Sequence, residues 1–446
     1  MSAPLMWIGV PAIGAVVLWF VHPKSRLSLG IASGLCVALA LLAWQAPLGA
    51  PIRLGTFSFE INTTFLFLGR KFVIDGGDRV FLILTYAAGA IWFIGSESAR
   101  VNRFFIPVGL LFLALLVAAQ SVEPFLYAAL MIEIGVLISI PVLVSTRSHE
   151  LRGIQRYLVF QTFALPFVLF SGWLAGIVAG STASSALLSQ AALFLSMGLA
   201  LWLAVFPLNT WVPQLVSESH PYSAGLILTI LPTAVFFLNI NFLDTFGWLK
   251  SNPALPTFLQ VGGVVTVVTS GIWAAYQNDL RRLFGYGLIF ENSFFILALL
   301  LDSKVAVQLF YMNFIPRLMG FAAWSLALTV LERHGVSKIN ELPGVFLKLP
   351  FASLALLVAY FSMTGLPLSA SFAARQVIVG NLPQGSSVMV AWIFVGMIGF
   401  AIGGIRLLLN LVDLSTQKIV VTESKFEAIL LMIGMILLLG LGIIPR

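Results

Sequence analysis

The feature that most restricts this chain is a succession of apolar runs, each close to the length of a membrane span and separated by short polar segments. A bilayer core of roughly 30 Å needs about 20 apolar residues per helix, and that ruler divides the chain into about fourteen spans. They begin near Pro4, Leu27, Val80, Phe104, Glu123, Leu158, Ala186, Tyr222, Leu255, Leu283, Val305, Leu349, Val388 and Phe426. No backbone group can stay unpaired in lipid, so the runs are expected to be helices and the fold class all-α integral membrane. Composition excludes a soluble enzyme: 60% of the residues are hydrophobic and 9% charged, where a soluble domain is nearer a quarter charged. The stretch after Met1 carries no basic leader or small-residue cleavage site, so it is read as the first span. A single membrane domain over residues 1–446 is expected, without a separate soluble part.

The charges are sparse and their placement is informative. Arg100, Arg103, Arg152, Arg156, Arg281 and Arg282 fall in odd-numbered loops, as do Lys24, Lys338, Lys348, Lys418 and Lys425. The short even-numbered loops hold Lys250 and Lys304, and the long second loop mixes Arg53, Arg70, Lys71 and Arg79 with Glu60, Asp75 and Asp78. The positive-inside rule then turns the odd loops toward the cytoplasm and both termini outward, in the inner (cytoplasmic) membrane of a cell. Topology thus explains the net charge of +7 without nucleic acid. One cysteine, Cys36, and four scattered histidines, His22, His149, His220 and His334, supply no disulfide framework and no metal or cluster site. With no glycine-rich phosphate loop after a strand either, no cofactor is expected.

Two spans contain helix breakers. The seventh runs into Phe206-Pro207-Leu208-Asn209-Thr210-Trp211-Val212-Pro213, and the twelfth is interrupted at Thr364-Gly365-Leu366-Pro367. Proline removes a donor and clashes with the preceding turn, freeing carbonyls that protein or water must satisfy. The breaks are five spans apart, as expected of two five-helix repeats of inverted topology, about 104–243 and about 255–410. Two unrelated proline kinks are the plainer alternative. Gly172–Gly176 and Gly399–Gly403 are small-residue pairs suited to close helix contact.

Ionisable groups at membrane depth cost a few kcal/mol each, so their presence asks for a reason. Glu133 stands ten residues beyond Glu123, about 15 Å deep at helical rise. It is read as a proton-carrying carboxylate; a protonated side chain gluing two helices is the alternative. Glu291 and Arg317 sit on consecutive spans joined at Asp302–Lys304, each about 16 to 20 Å from that turn. They are expected to form a buried pair, either relaying protons or locking two helices. Arg375 follows the second break and either lines an exit path or snorkels outward; Arg406 is expected to snorkel. No lysine falls at a span centre.

Fourteen spans, breaks in the seventh and twelfth and a lone glutamate in the fifth resemble the antiporter-like membrane subunits of complex I, Mrp-type antiporters and membrane-bound hydrogenases. Phe72-Val73-Ile74-Asp75 before Phe81–Tyr86 is similar to the entry of that family's third helix. Pro207–Pro213 followed by His220-Pro221-Tyr222-Ser223-Ala224 is similar to its seventh-to-eighth helix segment. Asp279–Tyr286 is similar to the start of its tenth helix, and Phe361–Pro367 to its broken twelfth. The resemblance implies protons moving along a central polar axis, with Glu133 as the fifth-helix glutamate and Arg375 in place of a twelfth-helix lysine or glutamate. It puts Glu291 where a tenth-helix histidine is often found, and Trp202 where a seventh-helix lysine would stand.

The expected function is therefore a proton-translocating, antiporter-like subunit of a complex-I-like or hydrogenase-type redox assembly. Its proton path would run over Glu133, Glu291, Arg317 and Arg375, with lipid and similar antiporter-like chains as partners and any redox centre on other subunits. A non-pumping scaffold subunit and a stand-alone ion/proton antiporter are the alternatives.

Overall fold

A segment that is apolar on every face gains by helix formation wherever lipid or other helices surround it, because only the helix closes all its own hydrogen bonds. Helices accordingly dominate this computed structural model. It describes the chain apart from residues 1, 22–24, 47, 49–50, 55–56, 145–150, 181–184, 383–386, 414–420 and 444–446. His22, Lys24, Arg147, His149 and Lys418 lie outside the described residues. The chain divides into two compact units, Met1–Val144 and Ser145–Arg446.

In the first unit a π-helical turn, Leu5–Gly9, leads into α1 (Val10–Val21), followed by α2 (Ser25–Gln45), α3 (Arg79–Ala99), α4 (Phe105–Ser121) and α5 (Leu126–Leu143). Polar ties cross its apolar packing. Trp7 Nε1 donates to the Leu39 carbonyl at 3.1 Å, and the Tyr86 hydroxyl donates to the Trp7 carbonyl. The long second loop departs from the all-helical expectation. It pairs β1 (Pro51–Leu54) with β2 (Phe57–Glu60), and β3 (Thr64–Phe67) with β4 (Arg70–Val73), both antiparallel. Leu68 at φ 48° and Gly69 at φ 72° make the two-residue turn between β3 and β4, whose left-handed backbone matches the twist of the strands. The strand β5 (Val122–Glu123) joins β4, and Lys71 Nζ lies 3.1 Å from Glu123 Oε2. Glu123, expected to open the fifth span, is therefore held in this sheet, and the helix starts only at Leu126.

The second unit opens with α6 (Arg152–Gly180) and α7 (Ser185–Trp202). After a non-helical stretch come α8 (Trp211–Glu218), α9 (Pro221–Thr245), the short α10 (Trp248–Ser251), α11 (Ala254–Tyr276), α12 (Leu280–Ala298) and α13 (Ser303–Arg333). Two 3₁₀ turns, Ile339–Glu341 and Val345–Leu347, precede α14 (Pro350–Met363), and α15 (Phe372–Gly380), α16 (Ser387–Val412) and α17 (Lys425–Ile443) complete the unit. Both expected interruptions are present: eight residues separate α7 from α8, and eight separate α14 from α15.

The helices α9 and α13 form the centre, buried on nearly every face, while α6 and α17 keep wide apolar faces exposed. Where α11 meets α16, small residues let the backbones approach. A Cβ on Gly396 would fall 2.6 Å from the Val267 carbonyl oxygen, and one on Gly399 would fall 2.9 Å from the Gly271 carbonyl carbon. At Gly176 it would meet open space, so the Gly172–Gly176 pair makes no such contact there. Arg406, half-buried, reaches the end of α11, donating to the Ala275 carbonyl and, at 2.7 Å, to Asn278 Oδ1, because the last carbonyls of α11 lack helical partners and attract a cation.

Among the described residues nine helices are long and apolar enough to cross a membrane, with four shorter apolar ones beside them. The protein is thus a multi-pass, predominantly helical membrane protein.

Candidate functional site

The site begins with α12. Asp279 caps its N-terminus, accepting a hydrogen bond from the Arg282 backbone N–H at 2.9 Å, a stabilising arrangement for an otherwise unpaired donor. The helix then carries Glu291 and Asn292 into the interior, where Glu291 is 0% exposed. On the antiparallel neighbour α13, Asn313 and Arg317 stand four residues apart and so share one face. Arg375 arrives from α15, just beyond the second helix break. Arg317 is 1% exposed and Arg375 2%.

These side chains meet. Arg375 Nη2 donates to Glu291 Oε1, and Arg317 Nη1 lies 3.9 Å from Glu291 Oε2. Asn313 Nδ2 donates to Glu291 Oε2 at 3.3 Å, and Arg317 Nη2 donates to Asn292 Oδ1 at 2.7 Å. Arg375, for which an outward snorkel was one expectation, instead turns inward. A guanidinium beside a buried carboxylate recovers energy that an unpaired charge would forfeit. Aromatic faces cover the rest of both cations: the Arg375 Cζ is 3.5 Å from the Phe294 ring centroid, and the Arg317 Cζ is 4.6 Å from that of Phe295. Such cation–π contacts strengthen when water is excluded.

The broken twelfth segment makes room for this. Gly365 adopts φ +72°, a left-handed backbone that disfavours side chains, and a Cβ there would fall 2.5 Å from Arg375 Cγ. The carbonyl freed at the break is not left bare: Ser371 donates to the Ser362 carbonyl through both its backbone N–H, at 3.2 Å, and its hydroxyl, at 2.7 Å. Chemically, one carboxylate held by two guanidiniums is a strong electrostatic centre. With Glu291 ionised the three groups sum to one positive charge.

Glu133 lies in the first unit, seven residues into α5 and half-buried, about 10 Å from the helix start. The structure thus brings together Glu291, Arg317 and Arg375, while Glu133 belongs to the other unit. Trp202 closes α7 and is buried among apolar neighbours. Reading the sequence did not single out Asn292 and Asn313 as partners, nor the phenylalanines over the arginines. The available signals were Asn292 beside Glu291 and Asn313 one helical turn before Arg317. No group of three or more histidine, cysteine, aspartate or glutamate residues suited to a metal occurs among the described residues.

A family model described as "NADH:quinone oxidoreductase/Mrp antiporter, TM" matches residues 174–402. The chain is 25% identical over 384 residues to NADH-quinone oxidoreductase subunit N 2 of Acidobacterium capsulatum, covering 80% of this chain and 75% of that one. It is also 25% identical over 377 residues to NADH-quinone oxidoreductase subunit 14 of Thermus thermophilus, covering 82% and 79% respectively. Among solved structures, a chain of respiratory complex I from Thermus thermophilus superposes with a TM-score of 0.82 at 16% identity, over 99% of this chain and 95% of that one. A chain of the Mrp complex from Dietzia sp. DQ12-45-1b gives 0.80 at 16% identity, over 99% and 94%. These superpositions show a shared fold.

Proposed function

The chain belongs to the NADH:quinone oxidoreductase/Mrp antiporter transmembrane family, and from that premise we propose that it is a proton-translocating, antiporter-like subunit of a complex-I-like or hydrogenase-type redox assembly. In this reading it crosses an inner (cytoplasmic) membrane about fourteen times with both termini outside. Two inverted five-helix repeats, about 104–243 and about 255–410, each contain one broken helix. The assembly would supply any redox centre from other chains, and similar antiporter-like subunits would stand beside this one.

One observation carries the proposal: three ionisable side chains on α12, α13 and α15, all at most 2% exposed, meet beside a helix break. Ionisable groups at membrane depth mark ion paths far more often than they serve packing. Glu291, Arg317 and Arg375 would form the exit half of the path, with Glu133 as the proton-loading carboxylate of the first unit. Approach and withdrawal of Arg375 at Glu291 would close and open the path beside the second break.

The test is proton pumping by the intact assembly in sealed vesicles carrying Glu133→Gln or Glu291→Gln. Loss of pumping is expected for both, with normal assembly for Glu133→Gln and a less stable subunit for Glu291→Gln. Full pumping by both variants would leave a scaffold role, which the burial of apolar Trp202 at the end of α7 favours as the second reading.

A further inference from the structure

In the first unit the start of α2, the end of α3 and the start of α4 converge on a cavity of about 190 Å³, lined by Arg26, Ser28, Glu97, Arg100, Asn102 and Arg103 among others. One ordered water needs only about 10–15 Å³, so the space admits a larger polar group. We propose that this cavity binds the phosphate of an anionic glycerophospholipid headgroup.

Charge is the first argument. Three guanidinium groups face a single carboxylate, and that carboxylate is already engaged, with Arg26 Nε 3.0 Å from Glu97 Oε1. Arg100 and Arg103 bring the surplus. A planar guanidinium suits a phosphate because its parallel N–H groups match two oxygens. A buried hydroxyl is the second argument. Ser28 is 3% exposed, lines the cavity and has no hydrogen-bond partner for its Oγ. A buried polar atom without a partner is costly, and a phosphate oxygen in the cavity would relieve it.

The surroundings favour a lipid over other carriers of the same chemistry. Helix ends mark the level of the headgroups. Trp19, 43% exposed near the end of α1, stacks on Phe104 with centroids 4.8 Å apart, as expected of aromatic residues at a membrane interface. Beside the cavity Leu27 is exposed and apolar, and farther along the helices so are Ile31 and Ile94. Ile31 lies five residues beyond Arg26, about 7 Å deeper, where acyl chains would run. Basic pockets between helix ends are a recurrent solution for anionic lipid headgroups.

The experiment uses the full-length chain in detergent, with native mass spectrometry reading the retention of added phosphatidylglycerol and phosphatidylcholine. Preferential retention of phosphatidylglycerol is expected, weakening about fivefold for each of Arg100→Gln and Arg103→Gln. Ser28→Ala keeps every charge and should weaken it by about threefold; it serves as the second variant should the arginine changes disturb folding. Equal retention of both lipids, or undiminished preference in all three variants, overturns the proposal. Displacement of phosphatidylglycerol by excess inorganic phosphate would assign the site to free phosphate and overturn the lipid. Absence of lipid retention, with an acidic peptide bound in its place, would assign it to a neighbouring protein.

Discussion

The two broken helices of the second unit start from similar sequences and end in opposite chemistry. At the first, between α7 and α8, the interruption is closed with apolar bulk: Trp202 is 2% exposed, Leu203 0% and Trp211 1%. Its freed backbone is served by α11, the Phe206 N–H donating to Thr266 Oγ1 at 3.0 Å while that hydroxyl donates onward to the Gly262 carbonyl at 2.6 Å. At the second, between α14 and α15, the same kind of gap admits Arg375, which reaches Glu291. Proline and glycine therefore specify that a helix stops, but the side chain that follows decides whether the opening holds a charge.

The largest effect should come from removing the cation at the second break. Arg375→Met leaves Glu291 with only the more distant Arg317 as a cationic partner, and breaking a buried pair this way costs about 3–5 kcal/mol. Thermal unfolding of the purified chain should show that loss. Glu291→Gln should cost no less, because it leaves two buried guanidiniums facing a neutral amide. If both variants melt like the parent, the cluster is not a structural centre and the contrast between the breaks fails.

Next in size is Gly365→Ala. The change adds a side chain at φ +72° and sets it against Arg375 Cγ, an expected loss of about 1–3 kcal/mol. Pairing it with Arg375→Ala in a double-mutant cycle sharpens the argument, since alanine lacks the Cγ that the new side chain would meet and the steric part should vanish. On the other break, Thr266→Val removes the acceptor of the Phe206 N–H and should cost about 1–2 kcal/mol through an unsatisfied backbone donor. That variant should leave proton pumping intact if only the second break lies on the path.

Much of this contrast was legible beforehand, and the limits have physical causes. Apolar runs locate the helices because each must close its own hydrogen bonds in lipid, and Pro207 and Pro367 locate the gaps because proline cannot continue the ladder. Counting inward from Asp302–Lys304 brings Glu291 near Arg317, since the two helices are joined by one turn and share a depth scale. Arg375 has no such ruler. It is separated from Glu291 by 84 positions in sequence, and only tertiary packing turns it inward. The hairpin through Leu68 and Gly69 was obscured by its charged residues, which read as an ordinary loop. The partners of Arg406 carry no charge, being the end carbonyls of α11 and Asn278, so opposite-charge pairing does not reveal them.

The smallest effect concerns the helix that leads into the second break. Glu423, outside the spans, accepts hydrogen bonds from the Phe351 and Ala352 backbone N–H groups at 3.1 and 2.7 Å, at the start of α14. Burial pushes its carboxyl above the ordinary 4.5, and the two N–H groups only partly oppose this. A carboxyl whose pKa is raised on folding holds its proton more tightly in the native state. Its contribution to stability is therefore full below the unfolded value and declines as pH rises through the folded one. Glu423→Gln retains an acceptor oxygen for the helix end but cannot ionise, so the thermal midpoint of the variant should fall less than that of the parent above pH 4.5. Parallel melting curves across that range would show instead that the helix N-terminus, by favouring the anion, fully cancels the burial. The entry to the second break would then be as insensitive to pH as the apolar closure of the first.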